Sequence, residues 1–307
     1  MTGPIVLFVD RGFETAPFAS ALGGELECRE EVAEHERGRV AGLVTGLVPV
    51  GAAAADLFPA LRVVVTCGVG TEHLDLEELG RRHIVVCNTP GYCTDEVAEH
   101  ALACVLAGWR GLWRLDAHVH DGGWDCNAIG LLRRADESVL GIVGLGRIGR
   151  SLSRRARALG VEVLAHDPWA APEPGVEMVS LDELLRRADA VSLHAPGRPG
   201  AAAILGEREL SLLRPHAVLV NVSRASLVDH AAMLTALRGG RLAGVAMDVW
   251  PLEPPAPGDA GLLAPGLLVT PHAAWSSEQA DAAYREEALA SLRAALIDGR
   301  EPPGRVV

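Results

Sequence analysis

The amino-acid sequence predicts an α/β fold with two Rossmann-like, doubly wound parallel-sheet domains and a cleft between them. Its 307 residues, 49% of them apolar, are enough for about two domains with buried cores. Short valine-rich runs alternate with longer helical patterns, which is typical of parallel sheets with helical crossovers. A glycine-rich turn also joins one of these runs to a helix, as in nucleotide-binding folds.

Nine apolar runs are predicted to be strands. Each is rich in valine and bounded by Gly, Pro, Asp or Asn, the pattern of short strands buried on both faces. The runs cover residues 4–10, 61–68, 83–88, 138–144, 161–167, 189–195, 217–223, 242–249 and 267–270.

The longest helical pattern begins near Thr94 and continues to about residue 122. Thr94 is a suitable cap, and the acidic side chains of Asp95 and Glu96 suit the first turn of a helix. Because this helix separates two groups of strands, we expect it to connect two domains.

The chain also ends in a helical pattern, which we expect to cross back to the first group of strands. This predicts a discontinuous, flavodoxin-like domain of residues 1–93 plus 272–307 and a Rossmann domain of residues 94–271.

Composition excludes several classes of function. The formal net charge of −12 argues against nucleic acid or an anionic membrane as a partner, although a local cluster of donors can still bind a small anion. All 28 basic residues are arginine, which excludes Schiff-base enzymes and phosphate loops with a signature lysine.

The six cysteines and the paired histidines do not form a metal-ligand pattern. No two cysteines have the CxxC spacing, so we expect free thiols in a reducing cytoplasm and no metal site. His118 and His120 form a His-x-His pair without a third ligand at a suitable spacing, which favours a solvated helix end. The N-terminal residues lack the basic segment of a signal peptide, so we expect a cytoplasmic protein.

A GxGxxG motif predicts a dinucleotide site. Gly144, Gly146 and Gly149 follow a predicted strand and open a helix, where free N–H groups can bind a pyrophosphate. The next strand ends in Asp167, 23 residues after the first glycine, where a carboxylate can accept hydrogen bonds from ribose hydroxyls and repel a 2′-phosphate. NAD is therefore favoured over NADP. Arg147 pairs with the pyrophosphate or is a solvated residue at the helix start, and both interpretations stay open.

Four polar residues follow three successive predicted strands: Arg224, Asp248, Glu253 and His272. Ligands bind at the carboxyl ends of parallel strands, so these side chains are candidates for a catalytic site. Arginine can hold a carboxylate and a carbonyl, histidine can exchange a proton, and glutamate can orient the imidazole. The six letters TPHAAW around His272 do not distinguish a catalytic histidine from a buried structural one.

These motifs resemble those of the NAD-dependent D-isomer-specific 2-hydroxyacid dehydrogenases. The segments VTCGVGTEHLD, NTPGYCTDEVAEHALA, GIVGLGRIGR, NVSRASLVD, AMDVWPLEPP and TPHAAW match family segments in order, from about residue 60 to residue 285. The similarity is greatest to the branch of C-terminal-binding-protein-like and phosphoglycerate-dehydrogenase-like proteins.

The resemblance implies a role for each matching residue. Arg224, Glu253 and His272 are implied to be catalytic, and Arg224 with the backbone of Gly68, Val69 and Gly70 is implied to bind the substrate. Residues 1–93 plus 272–307 then bind substrate, and residues 94–271 bind NAD. The implied cofactor-binding residues are Thr94, Gly144, Gly146, Arg147, Ile148, Gly149, Asp167, Ala195, Pro196, Val222, Ser223, Asp248, His272 and Ala274.

The resemblance also implies the reaction and the assembly. Hydride transfer between NAD(H) and a small anionic D-2-hydroxy or 2-oxo acid is expected, mainly as reduction of the 2-oxo acid, in a homodimer. The alternative is an NAD(H)-sensing, corepressor-like scaffold with little turnover.

The sequence departs from the family pattern at three places. Ala225 replaces the usual glycine after the arginine, and His230 replaces the glutamate of the usual VDE. The stretch HAPGRPGAAAIL, beginning at His194, lacks the usual threonines. These differences leave the substrate and some cofactor contacts unassigned.

Overall fold

The computed structural model describes residues 3–10, 14–197 and 200–307. The chain divides into two compact units, Met1–Cys93 with Ser277–Val307, and Thr94–Ser276. Each unit contains one sheet in which all strand pairs are parallel. The α/β class and the parallel sheets predicted from the sequence are confirmed.

The first unit is a five-stranded sheet with the strand order β2-β1-β3-β4-β5, the order of flavodoxin-like sheets. Its strands are Ile5–Phe8 (β1), Glu27–Arg29 (β2), Val40–Thr45 (β3), Val63–Thr66 (β4) and Val85–Cys87 (β5). Its helices are Thr15–Ala21 (α1), Ala52–Leu57 (α2), Leu76–Arg81 (α3) and Glu278–Arg293 (α10), the last continued by a π-helical turn at Ala294–Asp298.

Both faces of the first sheet are buried. In β1, Ile5 and Leu7 belong to one apolar cluster, whereas Val6 and Phe8 belong to another. Successive side chains of a strand point to opposite faces, so every residue of such a strand must be apolar. This explains why the run lacks the alternation of a half-exposed strand.

The second unit is a seven-stranded sheet with the strand order β12-β11-β10-β9-β6-β7-β8. The order reverses between β6 and β9, which is where Rossmann folds bind nucleotides. Its strands are Val139–Val143 (β6), Glu162–His166 (β7), Glu177–Met178 (β8), Ala190–Leu193 (β9), Val218–Asn221 (β10), Gly244–Met247 (β11) and Leu267–Val269 (β12). Its helices are Thr94–Trp109 (α4), Leu112–His120 (α5), Arg147–Ala158 (α6), Leu181–Arg187 (α7), Glu207–Leu212 (α8) and His230–Arg238 (α9).

The prediction of a single helix over residues 94–122 is wrong in one respect, because the structure has two helices there, α4 and α5. Gly111 has a left-handed backbone with φ of 59°, which an α-helix cannot continue through. A Cβ atom at this position would lie 2.2 Å from Cδ1 of Ile129, so only glycine fits without a rearrangement.

Three strands were not predicted. Strand β3 contains Ala41 and Gly42, which are poor strand formers, yet its central place in the sheet overrides their propensity. Strands β2 and β8 are edge strands of three and two residues with charged side chains, too short to show a pattern.

The chain returns from the second unit to the first after residue 276, five residues later than the predicted boundary after residue 271. Residues 272–276 therefore belong to the second unit. The backbone N–H groups of Ala273 and Ala274 donate hydrogen bonds to the Asp248 carboxylate of that unit. His272 is therefore part of the same unit as the GxGxxG motif.

Within the residues that the structure describes, no helix is both long and apolar enough to span a bilayer.

Candidate active site

The polar residues predicted at three strand ends follow three adjacent strands. Arg224 follows β10, Asp248 follows β11 and His272 follows β12, and these strands are hydrogen-bonded neighbours in one sheet. Glu253 lies in the loop after β11. Because the strands are parallel, all four residues lie at one edge of the sheet, as the sequence predicts.

Glu253 and His272 form a hydrogen-bonded pair. The Nδ1 atom of His272 lies 2.7 Å from Oε2 of Glu253, and the two side chains are 36% and 30% exposed. The other carboxylate oxygen, Oε1, accepts a hydrogen bond of 2.7 Å from the backbone N–H of Trp250. Glutamate thus fixes the orientation of the ring and leaves Nε2 as the nitrogen that can exchange a proton with a ligand.

The pair stabilises the charged forms of both residues. The hydrogen bond to Glu253 raises the pKa of His272 above its ordinary value, although burial of the ring and the charge of Arg224 act in the opposite direction. Burial raises the pKa of the Glu253 carboxyl, but the hydrogen bonds from His272 and the Trp250 N–H outweigh it, so this pKa is lowered. The imidazole is therefore a stronger base than an ordinary histidine.

The backbone of His272 is held in an unusual conformation. Its φ of 53° lies in the left-handed region, which residues other than glycine rarely adopt. The N–H of His272 donates to the carbonyl of Asp248 at 2.8 Å, and the following N–H groups, of Ala273 and Ala274, donate to the Asp248 carboxylate at 2.8 and 3.0 Å. Asp248 is 2% exposed, so this buried anion fixes the segment that carries the histidine.

Arg224 is held by the residues around it. The Asn221 side chain donates to the carbonyl of Arg224 at 2.8 Å, and the Arg224 guanidinium donates to the Ser223 carbonyl at 2.8 Å. Ser223 in turn donates from its hydroxyl to the Ala195 carbonyl at 2.6 Å. Ala225 does not have a positive φ, so the methyl group in place of the family's glycine causes no backbone strain.

The GxGxxG turn fits the packing that the motif requires. Gly144 has φ of 96°, and a Cβ atom there would lie 2.7 Å from the backbone nitrogen of Ala195. A Cβ atom on Gly149 would lie 2.2 Å from the carbonyl oxygen of Gly144, so helix α6 and strand β6 approach too closely for a side chain. A Cβ atom on Gly146 would meet no heavy atom within 4 Å, which leaves space beside the exposed start of α6 where Arg147 and Ile148 lie. An anion can approach the helix N-terminus there.

Asp167 ends β7 beside this turn. Its carboxylate accepts hydrogen bonds from the backbone N–H groups of Leu145, Trp169 and Ala170, at 2.8, 2.9 and 3.1 Å. Burial raises the pKa of Asp167, but these three hydrogen bonds outweigh it and the pKa is lowered. The residue is therefore a fixed anion close to the glycine-rich turn.

The remaining predicted residues lie in different units. Thr94 is the first residue of α4, Val222 follows β10, and Pro196 follows β9 in the second unit. The Gly68–Gly70 turn lies in the first unit, where the Gly68 carbonyl accepts from Thr89 and the Val69 carbonyl accepts from Asn88. Arg198 and Pro199, in the variant stretch after β9, lie outside the described residues.

The paired histidines of α5 contact backbone groups. His118 accepts a hydrogen bond of 3.3 Å from the N–H of Asp125, and His120 lies 2.9 Å from the carbonyl oxygen of Asp116. In the part of the chain that the structure describes, no three His, Cys, Asp or Glu side chains are arranged to hold a metal ion.

Comparison with known proteins identifies the family. The family described as D-isomer specific 2-hydroxyacid dehydrogenase, NAD binding domain, matches residues 102–274. The chain belongs to this family.

Individual relatives agree with this assignment. The chain is 33% identical over 309 residues to a D-3-phosphoglycerate dehydrogenase of Mycobacterium bovis, covering 96% of this chain and 57% of the relative. It is 35% identical over 265 residues to a glyoxylate reductase of Korarchaeum cryptofilum, covering 84% and 80%. Its structure resembles that of a D-lactate dehydrogenase from Aquifex aeolicus complexed with NAD and lactic acid, with a TM-score of 0.86 and 26% identity, covering 98% of this chain and 99% of the other.

Two residues of this candidate site escaped the sequence analysis. The Thr270 hydroxyl donates to Oδ1 of Asp248 at 2.6 Å and lies 3.2 Å from Nε2 of His100. Thr270 directly precedes the PH of TPHAAW and could have been noticed there. His100 lies on α4, 170 residues away in sequence, so no local pattern could connect it to this site.

We expect the titration of His272 to report its pairing with Glu253. In a 13C-edited NMR titration, the His272 imidazole should have a pKa above the ordinary histidine value, and Glu253→Gln should lower it, since an amide cannot supply the carboxylate charge. His272→Gln assigns the resonance among the 11 histidines. An unchanged midpoint in Glu253→Gln would refute the electrostatic coupling.

Proposed function

We propose that the protein transfers a hydride between NAD(H) and a small D-2-hydroxy or 2-oxo acid, working mainly as a 2-oxo acid reductase. The observation that carries this proposal is the 2.7 Å pair of Glu253 and His272, which lie after β11 and β12 in the unit that contains the GxGxxG turn. The curated relatives with which the chain aligns are dehydrogenases and reductases, although the chain spans 57% of the length of the Mycobacterium bovis relative. These names make an NAD(H)-sensing, corepressor-like scaffold with little turnover the less favoured alternative.

The chemistry assigns a separate task to each polar residue. Bound NADH supplies the hydride that reaches the carbonyl carbon. His272, protonated and oriented through Nδ1 by Glu253, gives its Nε2 proton to the carbonyl oxygen, so that a hydroxyl group forms. Arg224 polarises the same oxygen with its guanidinium.

The raised pKa of His272 suits reduction near neutral pH. Reduction requires the protonated imidazole, and the hydrogen bond to Glu253 keeps a larger fraction of it protonated. Oxidation of the hydroxy acid requires the neutral imidazole as base, which is more abundant at higher pH.

The cofactor-binding set predicted from the sequence fits NAD. The space beside Gly146 at the start of α6 suits a pyrophosphate, and the Asp167 carboxylate suits ribose hydroxyls but repels a 2′-phosphate. Asp248 accepts three hydrogen bonds from the protein, and a carboxylate has about four acceptor positions, so it can accept one further N–H from a carboxamide.

A cytoplasmic homodimer is part of this proposal. All six cysteines are free thiols, which a reducing cytoplasm preserves. The segment from Leu112 to Leu131 exposes several large apolar side chains, among them Trp124 at 89% and Leu131 at 97%. Contact with the same segment of a second copy would bury them.

His272→Ala should lower kcat at least about a hundredfold for reduction of the best substrate in a panel of glyoxylate, hydroxypyruvate and phosphonopyruvate, with NADH affinity nearly unchanged. NADH oxidation is followed by absorbance, and NADH binding by fluorescence. His83→Ala is the control, because His83 is the other described non-glycine residue with positive φ but lies in the first unit. A parallel loss of melting temperature and activity would instead indicate a structural histidine.

Asp167→Asn should shift the cofactor preference toward NADPH. The amide keeps one oxygen, which can still accept from the N–H groups of Trp169 and Ala170, but it loses the charge that repels the 2′-phosphate. The ratio of kcat/KM for NADPH to kcat/KM for NADH should therefore rise about tenfold or more. Glu162→Gln, at the other end of β7, controls for the change in net charge. An equal response of both variants would contradict the role of Asp167.

Light scattering should give a mass twice the 32.3 kDa of one chain. The double variant Trp124→Ser, Leu131→Ser should shift the protein toward monomer, since it removes two of the exposed apolar side chains. Leu263→Ser, which alters an apolar residue that is 82% exposed elsewhere in the second unit, should leave the mass unchanged. A monomeric wild type would refute the dimer.

A further inference from the structure

A chain of three polar side chains leads from helix α4 to the end of strand β11. Nε2 of His100 lies 3.2 Å from the Thr270 hydroxyl, and that hydroxyl lies 2.6 Å from Oδ1 of Asp248. All three residues belong to the second unit. The chain connects a histidine with no assigned role to the buried carboxylate that fixes the His272 segment.

The direction of each hydrogen bond follows from the chemistry of the groups. A carboxylate only accepts hydrogen bonds, so the single proton of the Thr270 hydroxyl points to Asp248. The hydroxyl oxygen then has only lone pairs to offer to His100, whose Nε2 must carry the hydrogen. The contact therefore assigns the Nε2-protonated tautomer to His100.

The two oxygens of Asp248 are used unequally. Oδ1 accepts from Thr270 and from the N–H of Ala273, whereas Oδ2 accepts from the N–H of Ala274. With about two acceptor positions on each oxygen, Oδ1 is saturated by the protein and Oδ2 can accept one more donor. The Thr270 hydroxyl thus decides which oxygen of the carboxylate is available to a ligand.

We propose that His100 and Thr270 are positioning residues for the nicotinamide carboxamide. His100 directs the Thr270 hydroxyl toward Oδ1 of Asp248, so the carboxylate offers Oδ2 alone and selects a ligand that carries an N–H donor. This inference rests on the proposed function, in which Asp248 binds the carboxamide. It adds two residues that act through Asp248 without touching the cofactor.

The selection can be measured by binding, with no dependence on turnover. The dissociation constants of NADH and of its reduced 3-acetylpyridine analogue are determined by fluorescence titration. In the analogue a methyl ketone replaces the carboxamide, so it has no N–H to donate. The wild type should prefer NADH, and the ratio of the two constants measures the hydrogen bond to Asp248.

Thr270→Val and His100→Leu should reduce this preference about tenfold or more. Without either link the carboxylate can turn, so that Oδ2 is no longer held toward the carboxamide, and a hydrogen bond to a charged group has an effect of this size. The matched variants Thr270→Ser, which keeps the hydroxyl, and His100→Gln, which keeps an N–H donor, should stay within about twofold of the wild type. Equal weakening of both nucleotides in Thr270→Val and His100→Leu, with an unchanged ratio, would show a merely structural role and overturn the proposal.

A measurement on the wild type avoids variants that fail to fold. In 15N NMR spectra, His100 should show a protonated Nε2, and a neutral ring with hydrogen only on Nδ1 would overturn the proposal. Failure of the proposed function looks different: the wild type would bind NADH and distinguish it from the analogue, yet reduce none of the 2-oxo acids.

Discussion

The buried carboxylate of Asp248 is the interaction on which the candidate site depends. The carboxylate accepts hydrogen bonds from the backbone N–H groups of Ala273 and Ala274. The backbone carbonyl of Asp248 accepts a hydrogen bond from the N–H of His272. A left-handed residue other than glycine costs on the order of 1–3 kcal/mol, so the surrounding hydrogen bonds must hold it. Without these hydrogen bonds, the segment after β12 would not be held in the conformation that places the His272 ring beside Glu253.

Opposite electrostatic effects act on the pKa of the His272 imidazole. Glu253 stabilises a proton on His272, whereas burial of the ring and the charge of Arg224 lower the pKa of the same imidazole. The carboxylate in direct hydrogen-bond contact has the larger effect, so the pKa of His272 is raised. The short contact with one anion thus outweighs both the burial of the ring and the charge of Arg224.

Topology explains why residues so far apart in the chain share one edge of a sheet. Strands β10, β11 and β12 are parallel and adjacent, so the loops after them meet regardless of the helices between them. The same rule places the GxGxxG turn after β6 next to Ala195 after β9, at the point where the strand order reverses. The cofactor motif and the polar residues therefore occupy the carboxyl edge of a single sheet.

Local patterns were sufficient to predict the α/β class, the nine main strands, the glycine-rich turn and the polar residues at the strand ends. Burial on two faces, tight turns and helix starts each leave a signal within a few neighbouring residues. Other features needed the folded chain. The 2.7 Å contact of Glu253 with His272 joins residues 19 positions apart, and the Thr270 contact with His100 spans 170 positions. Such partners, the central strand β3 with its Ala41 and Gly42, and the unit boundary after residue 276 are set by strand order and packing, which no short stretch of sequence records.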